Sequence, residues 1–263
     1  MKKIFFVIAT ILLLSSCANM NSNVSHNNQK SQKIATLKYE MARNIIAHKD
    51  FVKLADAFSY LNDAIKINPN DPRFYYTMAL AYKLRNNDKQ YVIYLNKAIE
   101  KDKNYFDAFN ALGIYYYSKK FYTRAIDMFT KLTNNPLYHN ADVAFFNRSR
   151  VYLTQNKIEE AENDLESALM FSNYKNKIYW QNLISLQISQ KEYYIALKNL
   201  FQMERTLRPS CYTHYYKALC YEKLSLFDQA KDELKKISND NLDYLVLKRR
   251  LLKEIEKEQM QTK

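Results

Sequence analysis

The feature that most constrains this 263-residue chain is an internal repeat with a period of about 34 residues. One place in the repeat holds alanine five times and tyrosine once: Ala57, Tyr91, Ala125, Ala161, Ala196 and Ala230. Leucine or phenylalanine follows each of them four positions later. The repeats start at residues 38, 72, 106, 142, 177 and 211, in steps of 34, 34, 36, 35 and 34. Such a period indicates stacked copies of one small unit that cannot bury its apolar face alone.

The pattern within the period is that of two antiparallel helices, in which a small residue at the crossing lets a large one fill the space beside it. Its length and its small residues resemble the tetratricopeptide repeat. We therefore expect an all-α fold, a right-handed α-solenoid of six tetratricopeptide repeats plus a C-terminal capping helix. The predicted folded region is 34–260, with repeats at about 38–71, 72–105, 106–139, 142–175, 177–210 and 211–244, and the cap at 243–260.

Two local features support this interpretation. Gly113, the only glycine, falls inside a predicted helix, where glycine costs about 1 kcal/mol relative to alanine. A close helix crossing is the expected compensation. In the predicted cap, Leu247, Leu251 and Ile255 recur every four residues, as expected of one apolar helix face that closes the open end of a solenoid.

The N-terminus reads as a bacterial lipoprotein signal. Met1 is followed by two lysines and then by an uncharged apolar run, residues 4–14, which is too short to cross a bilayer. The sequence Leu14-Ser15-Ser16-Cys17 resembles a lipobox, so residues 1–16 are the predicted signal peptide and Cys17 the predicted lipid attachment site, carrying acyl chains such as palmitate. A plain signal peptide with an incidental cysteine is the alternative. By the same resemblance, Ala18 favours the outer membrane.

Residues 17–33 are polar and are predicted to form a lipidated N-terminus and flexible tether. Without residues 1–16, 38 basic residues remain against 27 acidic ones, a net charge of +11. Codon bias and solvated helix faces explain this charge better than nucleic-acid binding, because the basic residues are scattered. Cys211 and Cys220, nine positions apart on one predicted helix, would be about 13 Å apart, beyond the reach of a disulfide. We expect free thiols.

Enzymatic chemistry is not indicated. One glycine excludes the glycine-rich phosphate loops. The four histidines are isolated, so neither a metal site nor a nucleophile dyad is visible. We therefore predict no catalytic residues, no cofactor, no metal and no small-molecule substrate, and instead a scaffold that binds another protein.

In the tetratricopeptide architecture the first helices line a concave groove. The corresponding side chains here are aromatic and amide-rich, which suits an extended or hydrophobic peptide. The predicted partner-binding residues are Tyr76, Asn110, Ile114, Tyr117, Phe146, Asn147, Arg150 and Asn182. Packing between repeats is an equally good explanation for Phe146 and Tyr76.

One irregularity points to a family. The 36-residue step between repeats three and four contains "NPLY", and "FNALGIYYY" stands in the third repeat. With six repeats and a lipid anchor, these segments resemble the type IV pilus biogenesis lipoproteins, the pilotin family PilF/PilW. Members typically carry Asn-Asn-Tyr-Gly where this chain has Asn110, Ala111, Leu112 and Gly113, and often a glycine in place of Ser149.

The resemblance implies a non-enzymatic lipoprotein of the outer membrane, facing the periplasm, that helps secretin subunits localise and multimerise. Its partners would be membrane lipid, through acylated Cys17, and secretin subunits. Two alternatives stay open: a lipoprotein of outer-membrane β-barrel assembly, which is normally described with five repeats, and a periplasmic adaptor for peptidoglycan enzymes.

Overall fold

The computed structural model describes residues 29–238 and 241–261, and within these ranges the chain forms thirteen α-helices and no strand. The helices are 29–47 (α1), Leu54–Ile67 (α2), Pro72–Leu84 (α3), Asp88–Lys101 (α4), Phe106–Ser118 (α5), Tyr122–Thr133 (α6), Ala141–Thr154 (α7), Ile158–Phe171 (α8), Lys177–Ser189 (α9), Tyr193–Leu207 (α10), Cys211–Lys223 (α11), Phe227–Lys235 (α12) and Leu242–Gln261 (α13). They pack in successive adjacent pairs. The predicted all-α tetratricopeptide fold class is confirmed.

A recurring backbone turn joins the two helices of each repeat. Two residues after each first helix ends, one residue takes a left-handed conformation with φ between 51° and 63°: Lys49, Asn86, Lys120, Asn156, Lys191 and Ser225. A left-handed residue of this kind is a common helix terminator because its N–H reaches back to the last free carbonyls. The same turn therefore closes every first helix.

Side-chain caps start several helices. Asp71 accepts a hydrogen bond from the Arg73 N–H, and Pro72 occupies the first helical position of α3, where its missing N–H costs nothing. Ser210 and Thr213 form a reciprocal capping box at the start of α11. These polar residues satisfy amide groups that the helices cannot pair internally.

The chain divides into two compact units, Met1–Leu112 and Gly113–Lys263. In the first unit, α1 to α3 enclose a core to which α1 contributes Ala35, Tyr39, Ala42 and Ile46. In the second, Trp180 is fully buried in a core built from α8 to α11. The alanines of the period are completely buried in both units, and Tyr91, which replaces one of them, is 2% exposed. The repeat pattern thus marks buried contact positions.

Gly113 lies in a tight contact in the second unit. A Cβ atom added at Gly113 would stand 2.5 Å from Cε1 of Phe129. Phe129 is itself one of the large residues that follow the alanine position, and it is 1% exposed. The close approach expected from the sequence is present, since only glycine leaves room for the ring.

The C-terminal helix α13 packs against α11 and α12. Leu251 and Ile255 are buried with Leu234 and Ile237, whereas Leu247 is half-buried. This arrangement confirms a capping helix after the sixth repeat.

The described part of α1 includes residues 29–33, so these residues of the predicted tether are helical. All five are exposed, and the helix extends through them because the buried residues from Ala35 onward fix its axis while nothing in these turns breaks it. The signal peptide, Cys17 and the rest of the tether lie outside the described residues. No helix in the described ranges is long and apolar enough to cross a membrane.

Cys211 and Cys220 lie on the single helix α11 and are free thiols, as predicted. Burial raises the pKa of the Cys220 thiol to about 12. A thiol of this kind stays protonated and behaves as a small apolar core residue.

Candidate partner-binding site

The first helices of the repeats each present a stripe of side chains at positions i, i+4 and i+7, which lie on one helix face. The stripe is Tyr39, Arg43 and Ile46 on α1, Tyr76, Leu80 and Lys83 on α3, Asn110, Ile114 and Tyr117 on α5, and Phe146, Arg150 and Leu153 on α7. Six of the eight predicted partner-binding residues belong to this stripe. Asn147 lies directly beside it on α7, and Asn182 lies on α9.

Tyr117, Arg150 and Thr154 form a cluster between the third and fourth repeats. The Arg150 guanidinium lies 5.4 Å from the centre of the Tyr117 ring. The Tyr117 hydroxyl is 3.2 Å from Oγ1 of Thr154. Arg150 is exposed and Asn147, one turn earlier, is half-buried. The cluster offers a cation and an aromatic face to an extended peptide.

Phe146 and Tyr76 both pack against aromatic residues: Phe146 against Tyr179 of the following repeat, and Tyr76 against Tyr105, the last residue of its own repeat. The Phe146 ring is 4.8 Å from that of Tyr179, and the Tyr76 ring is 5.5 Å from that of Tyr105. Ring pairs at these distances contribute about 0.5–1.5 kcal/mol beyond their buried area. Inter-repeat packing, one of the two explanations open from the sequence, is therefore present for Phe146, whereas Tyr76 packs within its own repeat, directly before α5.

The other predicted residues have different surroundings. Ile114 is 42% exposed. The Asn182 amide donates to the Ile178 carbonyl at 2.8 Å, within its own helix. Asn110 is half-buried and lies in the Met1–Leu112 unit.

A cavity of about 800 Å³ lies in the first unit, where α1 and α3 present their stripes. Its walls are aromatic and aliphatic and include Tyr39, Phe51, Tyr76, Leu80 and Tyr105. The volume falls in the range of about 300–1,000 Å³ that is typical of ligand pockets. Of the eight residues predicted from the sequence, Tyr76 alone lines it.

The α1 side of this cavity was not predicted, because the first repeat has a longer turn. Residues 48–53 separate α1 from α2, whereas residues 85–87 separate α3 from α4. The repeat numbering was set on the alanines of the second helices. When it is extended back to α1, it misplaces the groove positions of that helix by three residues. The left-handed turn residues Lys49 and Asn86, both at the cavity, are the structurally equivalent pair.

Positive charge predominates around the cavity. Arg43, Lys49 and Lys83 line it, together with one carboxylate, Asp107. Burial, with a further contribution from Asp107, raises the pKa of the Tyr76 and Tyr105 phenols. Both phenols are therefore neutral at physiological pH and can donate hydrogen bonds.

A buried ion pair in the second unit was also not predicted. Arg148 donates from Nε and Nη2 to the two carboxylate oxygens of Asp164, at 2.8 and 2.7 Å. Its Nη1 donates to the hydroxyls of Thr130 and Thr133. The side chains of Arg148 and Asp164 are only 13% and 6% exposed. This network ties α6, α7 and α8 together.

A second buried network joins α10, α11 and α12. The Lys217 ammonium, 3% exposed, lies 2.9 Å from Glu204 and 3.1 Å from Glu233. The His214 ring nitrogen Nδ1 is 2.7 Å from the same Glu233 oxygen. Hydrogen bonds from Lys236, His214 and Lys217 outweigh burial and lower the pKa of Glu233. Across the described residues, no group of three or more histidine, cysteine or acidic side chains is placed to hold a metal ion.

Comparison with known proteins agrees with this geometry. Residues 143–173, within the fourth repeat, match the tetratricopeptide repeat family. No curated protein sequence matches the chain. The fold is that of a tetratricopeptide-repeat protein.

Among solved structures, the chain is similar to PilF of Pseudomonas aeruginosa, with a TM-score of 0.61 and 16% identity over 84% of this chain and 99% of that one. It is also similar to PilW, described as a widely conserved type IV pilus biogenesis factor, with a TM-score of 0.57 and 14% identity over 83% and 98% of the two chains. A third similar structure is YrrB, a tetratricopeptide-repeat protein with an unusual peptide-binding site, with a TM-score of 0.54 and 20% identity over 72% and 97%. The chain thus resembles PilF and PilW in fold over nearly their whole length.

Proposed function

We propose that this protein is a non-enzymatic, lipid-anchored scaffold of the outer membrane that acts in type IV pilus biogenesis by assisting secretin localisation and multimerisation. The observation that carries the proposal is the likeness in fold to PilF and PilW over 98–99% of those chains. The lipobox-like sequence before Cys17 supports an anchor facing the periplasm.

The groove supports binding of a protein partner. Extended segments dock by pairing their backbone with polar side chains while apolar side chains enter pockets between. In the second unit, the stripe offers the Tyr117 ring with the Arg150 cation stacked over it, and Asn147 lies beside them. We place the secretin-binding surface in the second unit on Tyr117, Asn147 and Arg150.

The test replaces Arg150 and compares the result with a matched control. Arg124 is also exposed and its guanidinium lies 5.6 Å from the Tyr116 ring centre, but it stands on the second helix α6, outside the stripe. Both Arg150→Ala and Arg124→Ala should change stability by less than about 0.5 kcal/mol. In cells lacking the wild-type protein, Arg150→Ala should lower assembled secretin below about half, since interface arginines are frequent hot spots.

Asn147→Ala is the second variant, with the exposed Asn163 of α8 as its control. Arg124→Ala and Asn163→Ala should restore full assembly. Equal assembly with Arg150→Ala, Asn147→Ala and the controls, at normal protein levels, would move the site elsewhere. Loss of folding in the groove variants would show that these side chains serve packing.

The anchor is tested separately. Mass spectrometry of the N-terminal peptide from the membrane fraction should show an acylated Cys17 as the first residue. Replacing Ala18 with Asp should shift the protein toward the inner membrane. An unmodified Cys17, or cleavage at another residue, would contradict the lipoprotein assignment.

A further inference from the structure

The cavity between α1 and α3 combines three properties that suit it to a ligand. It encloses about 800 Å³, its walls carry the rings of Tyr39, Phe51, Tyr76 and Tyr105, and lysines stand at its edge. Tyr39 is 7% exposed, whereas Phe51 is 64% exposed and follows directly on the α1 turn. A deep aromatic wall with an accessible ring at its edge can enclose an apolar side chain of a docked chain.

The lysines at this cavity are uncompensated within the described part of the chain. Arg43 is paired with Glu40, its Nη2 lying 2.7 Å from the carboxylate. Lys83 lies over the Tyr91 ring at 5.4 Å, and no described carboxylate forms an ion pair with Lys83 or Lys49. Both side chains are exposed. Asp107 is the one carboxylate that lines the cavity, and Arg43, Lys49 and Lys83 outnumber it, so the cavity complements a negatively charged group on the ligand.

Position in the repeats argues for an extended ligand. The stripes Tyr39–Arg43–Ile46 and Tyr76–Leu80–Lys83 are equivalent surfaces of consecutive first helices, and both face the cavity. Lys49 and Asn86 are the equivalent turn residues at its end. A segment crossing both stripes would place one side chain between the aromatic walls and the next ones beside the lysines.

We propose that this cavity is a second peptide-binding site, which takes an extended protein segment carrying an acidic residue within two positions of an aromatic or large aliphatic one. The proposal rests on the proposed function in one respect, that the protein is a scaffold for protein partners. It does not depend on the partner of repeats three and four being a secretin.

The first experiment selects binders from a displayed library of random ten-residue peptides, using the mature protein. Enriched peptides should pair Asp or Glu with Phe, Tyr, Trp, Leu or Ile at the proposed spacing. Selection against Lys49→Glu/Lys83→Glu protein should replace the acidic residues by Lys or Arg, because the charge at the cavity edge is reversed. No enrichment, or the same acidic preference in both selections, would overturn the proposal.

The second experiment measures affinity for one selected peptide by fluorescence anisotropy. Lys49→Glu/Lys83→Glu should weaken binding at least about tenfold, and raising the salt should weaken wild-type binding. The matched control is Lys89→Glu/Lys103→Glu, which makes the same charge change at exposed lysines of the same unit that do not line the cavity. It should bind within about twofold of wild type if the local charge matters and net charge does not.

The apolar wall has its own matched pair. Phe51 lines the cavity and is 64% exposed, whereas its neighbour Val52 is 92% exposed and does not line it. Phe51→Ala should weaken peptide binding at least about fivefold with little change in melting temperature, and Val52→Ala should do neither. Equal effects of the two variants would contradict the site.

The outcomes separate this proposal from the proposed function. Peptide binding that depends on Lys49, Lys83 and Phe51 would establish the site. If the cavity variants still assemble secretin, the partner of this site is a different protein. Loss of secretin assembly only in the variants of repeats three and four, with no acidic peptide selected, would leave the proposed function standing and reject the cavity.

Discussion

The two units of this chain differ in the exposure of their cations and in the tightness of their packing. In the second unit, Arg148 and Lys217 are buried and paired with carboxylates, and Gly113 is closed over by the Phe129 ring. In the first unit, Lys49 and Lys83 stand exposed beside a cavity of about 800 Å³. A buried cation needs an anionic partner because removing its charge from water costs free energy, whereas an exposed cation beside an open cavity stays hydrated until a ligand binds. We therefore assign the buried charges to fold stability and the exposed charges at the cavity to binding.

The largest expected effect tests the closed part of this comparison. Asp164→Ala leaves the Arg148 guanidinium buried with two threonine hydroxyls but no anion, and should destabilise the fold by about 3–5 kcal/mol. Thermal unfolding of the mature protein measures the loss. The double replacement Arg148→Met/Asp164→Leu removes both charges and should recover much of it. If Asp164→Ala melts like wild type, the ion pair does not maintain the fold.

Overpacking is the next largest effect. Gly113→Ala should gain about 1 kcal/mol of helix propensity but forces its Cβ against the Phe129 ring, 2.5 Å away. Overpacking typically costs about 1–3 kcal/mol, so we expect a net loss of stability. Adding Phe129→Leu, which removes the ring, should make Gly113→Ala harmless or favourable in that background. An equal penalty for Gly113→Ala in both backgrounds would rule out the ring contact as its cause.

Glu222, 1% exposed on α11, is a buried carboxylate whose ionisation should weaken the fold. Burial raises its pKa above the ordinary value, Lys223 opposes the shift, and Glu258 of the cap reinforces it. The folded state therefore holds the proton more tightly than the unfolded state. This stabilising contribution is full below the unfolded pKa and is lost as the pH rises through the folded pKa.

Glu222→Gln removes this pH dependence. Because glutamine stays neutral where Glu222 ionises, the variant should gain stability relative to wild type as the pH rises from 4 to 7.5. Melting temperatures across this range measure the change. A constant difference between the two proteins at all pH values would contradict the assignment.

The smallest effect on stability belongs to the open unit. Ala47 is exposed and lines the cavity. Ala47→Leu adds bulk as Gly113→Ala does, yet should change stability by less than about 0.5 kcal/mol because the space is open. It should weaken binding of the selected peptide all the same. Destabilisation comparable with that of Gly113→Ala would mean that the cavity is tightly packed.

The fold could be predicted from the sequence because the buried positions of a tetratricopeptide repeat recur at a fixed spacing. The alanines of the period are all buried, and Gly113 has the close contact that its place in a helix required. The lipid anchor at Cys17 and the partner-binding role of the groove residues remain predictions.

The missed features depend on packing that a pattern does not show. Charged residues were interpreted as surface residues, although Arg148 and Arg150 point about 160° apart on one helix, which was a sign that one of them faces inward. The α1 side of the cavity was not predicted because a longer first turn shifts the repeat numbering on α1 by three residues. Local periodicity predicts neither the partner of a buried arginine nor the space between two helices.

Hydrogen exchange of the mature protein, with and without the selected acidic peptide, tests the central contrast most directly. The account predicts slower exchange on peptide binding in residues 39–51 and 76–86, which line the cavity, and unchanged exchange in α7 and α8, where Arg148 and Asp164 are already paired. Protection confined to α7 and α8, or none at the cavity, would contradict it.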